Sequence, residues 1–483
     1  MAGDGSRAEG PVVIRFGTDG WRGIIGWDFT AHNVRACARG VARLLARSDL
    51  ASRGLVVGYD TRFASESFAA EVAQVTTGSG VRTLLCERAA PTPTVSYNIV
   101  HHQAGGGAII TASHNPAPWS GFKYKPDYAG SASPQVIEAL EAEIQGAIQE
   151  PFPLLSLAAA REQHLLLDID PAPPYLDHIA RLVDLPSLRA SGLTVGVDAM
   201  FGAGAGYLSR LLAGGSLRVT ELHAERNPLF PGMAQPEPVA HNLAELLRWV
   251  PTHKADVGIA LDGDADRVGL VDEKGRFIPT LQVFPLLALY LLEVRGERGP
   301  IIKSLTMSRM VERLGELYSV PVHETPVGFK YIGPLMMEHG ALAGGEESGG
   351  YGFRGHIPER DGILSGLLLL DLMVRTGKRP SELVEMLFAK VGPHFYDRLD
   401  VPFAPEQRAS TQERLASRRP TTLAGRRVVG RDNLDGTRFL LEGGGWALVR
   451  FSGTEPLLRI YAEAESPQRV QRLLDDARAL AGV

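Results

Sequence analysis

Ala255-Asp-Val-Gly-Ile-Ala-Leu261, Asp262-Gly-Asp-Ala-Asp-Arg267 and Val268-Gly-Leu-Val271 read as one continuous unit. An apolar run of strand character leads into an acidic loop, and a second one leaves it. Such an arrangement places Asp262, Asp264 and Asp266 at a sheet edge, on a rigid support. The residues between them, Gly263 and Ala265, are small enough to let the backbone turn and the carboxylates converge. Converging like charges repel unless a cation sits among them. A hard divalent cation suits oxygen ligands, and the loop lacks the long span and closing Glu of an EF-hand. Mg²⁺, which keeps several waters and shares oxygens with a substrate phosphate, fits best. The other reading of the run is a solvated acidic turn. Arg267 reads either as a phosphate or sugar ligand or as an ion-pair partner that neutralises the acids.

Outward from this loop the same pattern recurs. Gly54–Gly58 ends at Tyr59-Asp60, Thr194–Val197 at Asp198, and Ala104–Ile110 at Thr111-Ala112-Ser113, each strand candidate being followed by a polar turn and a helix-like segment. The βα repetition predicts α/β domains with parallel or mixed sheets, whose ligands collect at the carboxyl ends of strands. Gly202-Ala-Gly-Ala-Gly206 also follows a strand, but its spacing is wrong for a dinucleotide fingerprint, and it reads as a tight strand–helix turn. The apolar stretches Leu281–Leu292 and Ile363–Val374 contain Pro285 and Asp371. Both fall short of the roughly 20 residues a membrane helix needs and read as buried helices.

With 483 residues, the chain is too long for one ordinary core. Proline-rich and polar stretches suggest domains over 1–172, 173–277, 278–396 and 397–483, the last a small α+β unit with strands Arg426–Val429, Thr437–Leu441 and Trp446–Arg450 and a terminal helix Pro467–Leu480. At 44% hydrophobic and 22% charged residues, with net charge −5, the composition is globular and gives no reason to expect nucleic-acid or membrane partners. Cys37 and Cys86 make neither a metal motif nor a disulfide framework, which fits a reducing, cytoplasmic compartment. Met1–Gly10 is Gly-rich and polar, without the apolar core of a signal peptide, and reads as a disordered leader.

Three further motifs carry chemistry. In Thr111-Ala-Ser-His-Asn-Pro116, Ser113 sits at a sharp strand end, where a hydroxyl can act as a nucleophile or carry a phosphate. His114, adjacent in sequence, suits a phosphate hydrogen-bond donor better than the serine's base. Gly344-Gly-Glu-Glu-Ser-Gly-Gly350 offers carboxylates and a hydroxyl on a glycine-flanked loop, suited to a polyol or else a mobile acidic turn. In Arg450-Phe-Ser-Gly-Thr-Glu-Pro456, Arg450, the Ser452 and Thr454 hydroxyls and the amides around Gly453 could surround a phosphate dianion.

In this order and spacing, the four motifs resemble the α-D-phosphohexomutase family, which includes phosphoglucomutases, phosphomannomutases and phosphoglucosamine mutases. The resemblance begins at Phe16-Gly-Thr-Asp-Gly-Trp-Arg-Gly23 and covers nearly the whole chain. It implies an α/β protein with four domains around a central cleft: three related α/β domains with mixed sheets, and a C-terminal α+β domain resembling the TATA-binding protein. It also implies a monomer or homodimer acting on a phosphosugar.

Carried over motif by motif, the resemblance makes Ser113 a phosphoserine that binds one Mg²⁺ together with Asp262, Asp264 and Asp266. Arg22 and His114 match positions near that phosphate, and Lys123, in Gly-Phe-Lys-Tyr, matches a general acid/base. Such a role calls for burial and cationic neighbours that lower its pKa. Lys330 matches a second substrate-binding or acid/base lysine. Arg267, Glu346 and Ser348 match substrate contacts, and Arg450, Ser452, Gly453 and Thr454 the site of the non-reacting phosphate. The implied reaction exchanges phosphate between O1 and O6 of glucose through glucose 1,6-bisphosphate.

Gly-Glu-Glu-Ser resembles the phosphoglucomutase sugar loop, where phosphomannomutase-like members more often carry Met, and phosphoglucosamine mutases Gln, in place of Glu347. Phosphomannomutase or dual specificity is the alternative. Gly349-Gly350 stands in place of a Phe-Gly pair, which predicts a smaller wall to the sugar site, and Ser120 in place of Asn. A non-catalytic phosphosugar-binding protein of this fold and a Mg²⁺-dependent phosphatase are rivals from other classes.

Overall fold

The computed structural model describes residues 13–452 and 457–483, so the expected leader Met1–Gly10 lies outside the described residues. Four sheets follow one another along the chain. The first contains β1 (Trp21–Ile24), β2 (Leu55–Tyr59), β3 (Thr83–Cys86), β4 (Gly106–Ile110), β5 (Trp119–Pro126) and β6 (Leu166–Ile169), in the order β1-β5-β4-β2-β3-β6. The second holds β7 (Thr194–Asp198), β8 (Arg218–Leu222), β9 (Val257–Leu261), β10 (Val268–Val271) and β11 (Phe277–Ile278), ordered β11-β10-β9-β7-β8. In the third, β12 (Ile301–Ser304), β13 (Val322–Thr325), β14 (Ala343–Gly345) and β15 (Tyr351–Phe353) run β13-β12-β14-β15.

These three sheets share one construction. Parallel strands form the centre, and the last of them turns back into an antiparallel neighbour: β4 into β5, β9 into β10, β14 into β15. The connecting loops hold Ser113, the three aspartates and Glu346-Glu-Ser348 respectively. Each therefore hangs from the carboxyl end of a central strand that both neighbours hold in place.

The fourth sheet is different. β16 (Phe395–Pro402), β17 (Thr422–Leu423), β18 (Arg426–Asp432), β19 (Thr437–Leu441), β20 (Trp446–Phe451) and β21 (Leu457–Ala464) lie in the order β16-β21-β20-β19-β18-β17. All its pairings are antiparallel. The helix Pro467–Ala481 packs on it, started by Ser466, whose side chain accepts from Arg469 N, and ended by Gly482 in the left-handed region. β16 and β21 are not foreseen from sequence. β16 is a half-exposed edge strand in a stretch that reads as a proline-rich break. The expected boundaries at 277/278 and 396/397 fall inside β11 and β16.

The two long apolar stretches become the helices Thr280–Leu289 and Gly362–Thr376, the first continued by a π-turn over Tyr290–Val294. They lie in one apolar cluster that spans the second and third sheets, from Ala172 to Leu387, so these two domains share a core. Among the described residues no helix is long and apolar enough to cross a membrane.

The C-terminal domain docks on the third. Leu305 packs with Trp446, Leu448 and Tyr461 in an apolar patch. Beside it Arg438 Nη1 donates to Glu324 Oε2 at 2.8 Å and to Leu305 O at 3.2 Å, and the buried Lys303 Nζ lies 3.0 Å from Glu324 Oε2. Burial alone would raise the Glu324 pKa, but Arg438 and Lys303 bring it down to about 2. A folded-state pKa below the unfolded one gives stability that is present above pH ~4.5 and lost as pH falls toward 2. Glu324→Gln is therefore expected to destabilise the protein by about 2 kcal/mol at pH 7, a gap that closes as pH approaches 2. Denaturant midpoints of both proteins across this range test it; a gap that does not vary with pH would contradict the assignment.

Candidate active site

The Ser113 and aspartate loops meet where the first two sheets abut. Ser113 takes φ 51°, a left-handed conformation that lifts its hydroxyl out of the turn, and its amide donates to Thr111 Oγ1 at 2.8 Å. Ser113 Oγ donates to Asp262 Oδ2 at 2.7 Å and lies 3.3 Å from His114 Nδ1. The small residues of the acidic loop are required by this approach. A Cβ on Gly263 would fall 2.5 Å from Ser113 O, and Ala265 sits at φ 55°.

Asp262, Asp264 and Asp266 are all buried, and each offers an oxygen within 4.8 Å of the others. Burial and repulsion from its two neighbours push the Asp262 carboxyl far above the usual range. Burial acts the same way on Asp264, but Lys123 outweighs it and holds that carboxyl low. Asp264 Oδ1 and Asp266 Oδ1 are buried without a hydrogen-bond partner. Buried carboxylate oxygens left unsatisfied are costly, and a hard cation is the chemistry that would satisfy them. The three aspartates therefore fit a divalent metal.

In the third sheet's loop, Glu346 is buried, with Arg360 Nη1 at 3.7 Å, and burial raises its pKa against the pull of Arg360 and Arg267. Ser348 is half-buried two residues on. In the C-terminal domain Arg450 Nε donates to Asp435 Oδ2 at 2.8 Å. Ser452 is buried, whereas Gly453 and Thr454 lie outside the described residues.

Comparison with known proteins agrees with this architecture. Models of "Phosphoglucomutase/phosphomannomutase" alpha/beta/alpha domains I, II and III match residues 13–150, 173–275 and 281–391, and the C-terminal domain model of the same set matches 412–480. The chain belongs to the α-D-phosphohexomutase family. A phosphoglucomutase/phosphomannomutase of Thermococcus kodakarensis is 30% identical over 95% of this chain and 96% of its own. A phosphoglucosamine mutase of Carboxydothermus hydrogenoformans is 30% identical over 96% and 98%. The crystal structure of a candidate phosphomannomutase from Thermus thermophilus superposes with a TM-score of 0.85, at 36% identity, over 98% of this chain and 99% of that one. This phosphohexomutase is accordingly an enzyme of the isomerase class.

Not every candidate residue behaves as sequence suggests. Lys123 Nζ sits among Asp19 Oδ2 (2.8 Å), Asp264 Oδ2 (2.8 Å) and Asp266 Oδ2 (3.0 Å). Burial would lower its pKa, but these three carboxylates drive it up, opposite to the shift that an acid/base role calls for. Lys330 shows the reverse: burial lowers its pKa, and its Nζ donates to Gly17 O at 3.3 Å. His114 is kept neutral by burial and by the nearby Arg267, Arg22, Arg62 and Lys123. Arg22, on β1, reaches the serine loop by donating to Asn115 Oδ1 at 2.8 Å. Arg267 pairs with Glu237 at 3.2 Å, its Nε lies 3.9 Å from Asp266 Oδ1, and its amide donates to Asp262 Oδ1 at 3.0 Å. The Gly349-Gly350 pair does not simply enlarge the site. Gly349 has φ 91° and a Cβ there would fall 2.9 Å from Val268 O, while the space beside Gly350 is filled by the Arg360 stem, which would overlap a Cβ at that position.

The enzyme also relies on residues that sequence reasoning missed. Arg360 bridges the loops, with Nη2 2.8 Å from Asp266 Oδ2 and a further contact to Asp19. Thr92, opening the helix Thr92–His101, donates its hydroxyl to Asp264 Oδ2 at 2.6 Å and its amide to Asp264 O at 2.9 Å, so the positive helix end faces the acids. Asp435 Oδ2 holds Arg450 and also accepts from Val327 N at 3.1 Å, tying the two domains together. None of these lies in a motif with chemistry of its own. The fourth is Arg62, fully buried, which donates to the backbone carbonyls of Ser113 (2.6 Å), Asn115 (2.5 Å), Pro116 (3.0 Å) and Trp119 (3.1 Å). It therefore sets the shape of the serine loop. Arg62→Met would remove these four donations and the ion pair to Asp60, and is expected to cost about 3–5 kcal/mol of stability and to abolish stable phosphate incorporation at Ser113. Urea unfolding together with intact-mass analysis checks both; retained phosphorylation would show that the loop holds its shape unaided.

Proposed function

We propose that this enzyme is a phosphoglucomutase, interconverting glucose 1-phosphate and glucose 6-phosphate through phosphorylated Ser113 and glucose 1,6-bisphosphate. One observation carries the reading: the Ser113 hydroxyl, raised on a left-handed turn, stands 2.7 Å from Asp262 in the buried aspartate triad. A phosphate on that hydroxyl adds close to two negative charges beside carboxylates, a combination that calls for a cation. Asp262, Asp264, Asp266 and the Ser113 phosphate would hold Mg²⁺, which would neutralise charge on the phosphoryl group. The sugar loop, with buried Glu346 beside half-buried Ser348, supports a hexose, and Arg450 with Ser452 supports binding of the idle phosphate.

In the first half-reaction the P–Oγ bond of phosphoserine breaks as a bond to a sugar hydroxyl forms, and that hydroxyl loses its proton. The bisphosphate turns over within the cleft, and the phosphate at its other end returns to Ser113. Most of the rate comes from positioning and charge balance. Lys330 suits the proton transfer, because its pKa is lowered; Lys123, held as an ammonium, suits charge balance. Arg22 and neutral His114 orient the phosphate.

A coupled assay with glucose 1-phosphate, Mg²⁺ and catalytic glucose 1,6-bisphosphate is expected to show rapid glucose 6-phosphate formation, lost in Ser113→Ala by a factor of at least about 10³. Mannose 1-phosphate, run in parallel, is expected to be slower; equal or faster turnover would move the assignment to a phosphomannomutase or dual-specificity enzyme. Inorganic phosphate in excess of isomerised product would instead favour a phosphatase. Chelation should abolish turnover, and Mg²⁺ should raise the Tm of wild type but not of Asp264→Asn. Lys330→Gln is expected to remove the acid limb of the kcat–pH profile, whereas Lys123→Gln lowers kcat at every pH without moving the profile.

A further inference from the structure

The loop between β14 and β15 has two working faces. Glu346 turns toward Arg360, but the next carboxylate, Glu347, leaves the third domain altogether. Its Oε1 accepts from Tyr396 Oη at 2.8 Å and from Arg398 Nη1 at 3.2 Å, both on β16, the first strand of the C-terminal sheet. The main chain of the same residue is held by the third domain: Thr280 Oγ1 donates to Glu347 O at 2.6 Å, and Tyr351 Oη donates to Thr280 O at 2.8 Å. One residue is thus gripped through its backbone by one domain and through its side chain by the other.

The carboxylate end of this grip is largely shielded from water, the Glu347 side chain being 15% exposed, while that of Arg398 is 33% exposed. Burial would lower the Arg398 pKa, but Glu347 and Tyr396 reverse the shift, so the guanidinium is firmly charged. Charge-assisted hydrogen bonds of this kind are stronger than neutral ones and directional. Further ties between these domains lie on β13 and on the segments that follow β12 and β13: Arg438 to Glu324, Asp435 to Val327, Arg309 N to Glu463 Oε1 at 3.1 Å, and the apolar patch of Leu305 with Trp446 and Tyr461, against which Tyr396 packs.

We propose that Glu347 is a positioning residue: clamped by Tyr396 and Arg398, it fixes where Glu346 and Ser348 stand relative to the C-terminal domain, so that placing the sugar loop and docking the phosphate-binding domain become one event. The proposal rests on the sugar-loop reading above. Physically, Glu346 and Ser348 flank Glu347 and cannot shift as a pair without stretching its side-chain bonds to β16.

The test uses the full-length chain with Glu347→Ala, Arg398→Met, the double variant and the milder Tyr396→Phe, which removes only a hydroxyl. Hydrogen exchange of peptides covering 344–350, without ligand, is expected to quicken on the order of 5- to 10-fold in either single variant, less in Tyr396→Phe, and no further in the double variant. Arg398 lies outside that segment, so faster exchange there is transmitted through the clamp. In the coupled assay the same variants should raise KM for glucose 1-phosphate by a similar factor with kcat changed about 2-fold or less, and Arg398→Lys should restore part of the loss. Unchanged exchange over 344–350 in Arg398→Met, or effects of the two single variants that multiply in the double, would overturn the proposal. A wild-type protein that turns over no phosphosugar would count against the mutase reading alone, because the exchange measurement does not depend on turnover.

Discussion

Repulsion between buried carboxylates is the constraint on which the rest of this structure depends. Asp19, Asp262, Asp264, Asp266, Glu346 and Glu359 are all brought out of water toward one cleft. Isolated charges cannot be buried in this way without large desolvation costs. The cluster exists because Lys123 and Lys125, both on β5, and Arg267 and Arg360, from two separate loops, are threaded between its members. The balance is uneven: Asp19 is held far below the normal carboxylate range by Lys123, Lys125 and Arg360, although burial opposes it, while Asp262 is pushed far above it. Asp262 is also the carboxylate that touches the Ser113 hydroxyl.

That balance also explains why the domains are assembled as they are. Arg360 comes from the third domain and meets Asp19 from the first and Asp266 from the second. Thr92 carries a helix end of the first domain onto Asp264. Removing any one sheet would leave charges unpaired in the others, so the site serves as the junction of the fold as well as its candidate chemistry. The C-terminal domain is attached differently, by the apolar Leu305–Trp446 patch and by ion pairs at its edge. Such an interface can be adjusted without disturbing the aspartate cluster, which suits a domain proposed to hold the idle phosphate.

Much of this was legible in residue order. Val257–Leu261, the acids and Val268–Val271 form the hairpin that the pattern predicts, because alternation of apolar runs with small and acidic residues is a local property. The terminal helix, expected over Pro467–Leu480, forms over Pro467–Ala481 for the same reason. β16 was invisible, since a half-exposed edge strand carries no clear period and its identity comes from pairing with β21, more than fifty residues away. The direction of the Lys123 shift was not legible, because its sign depends on how many carboxylates surround the ammonium, which spacing along the chain does not encode.

The sequence by itself determined the family, the order of the domains and the loops that carry Ser113, the aspartates and Glu346, since motif chemistry and strand periodicity are written in neighbouring residues. Only the tertiary structure decided which charges face one another. Arg62 holding four carbonyls of the serine loop, Arg360 joining three domains, and Glu347 reaching across to Tyr396 and Arg398 are contacts between distant segments. Electrostatic energy falls off with distance in space and burial, not with separation along the chain, so the roles of these residues appear only once the chain has folded.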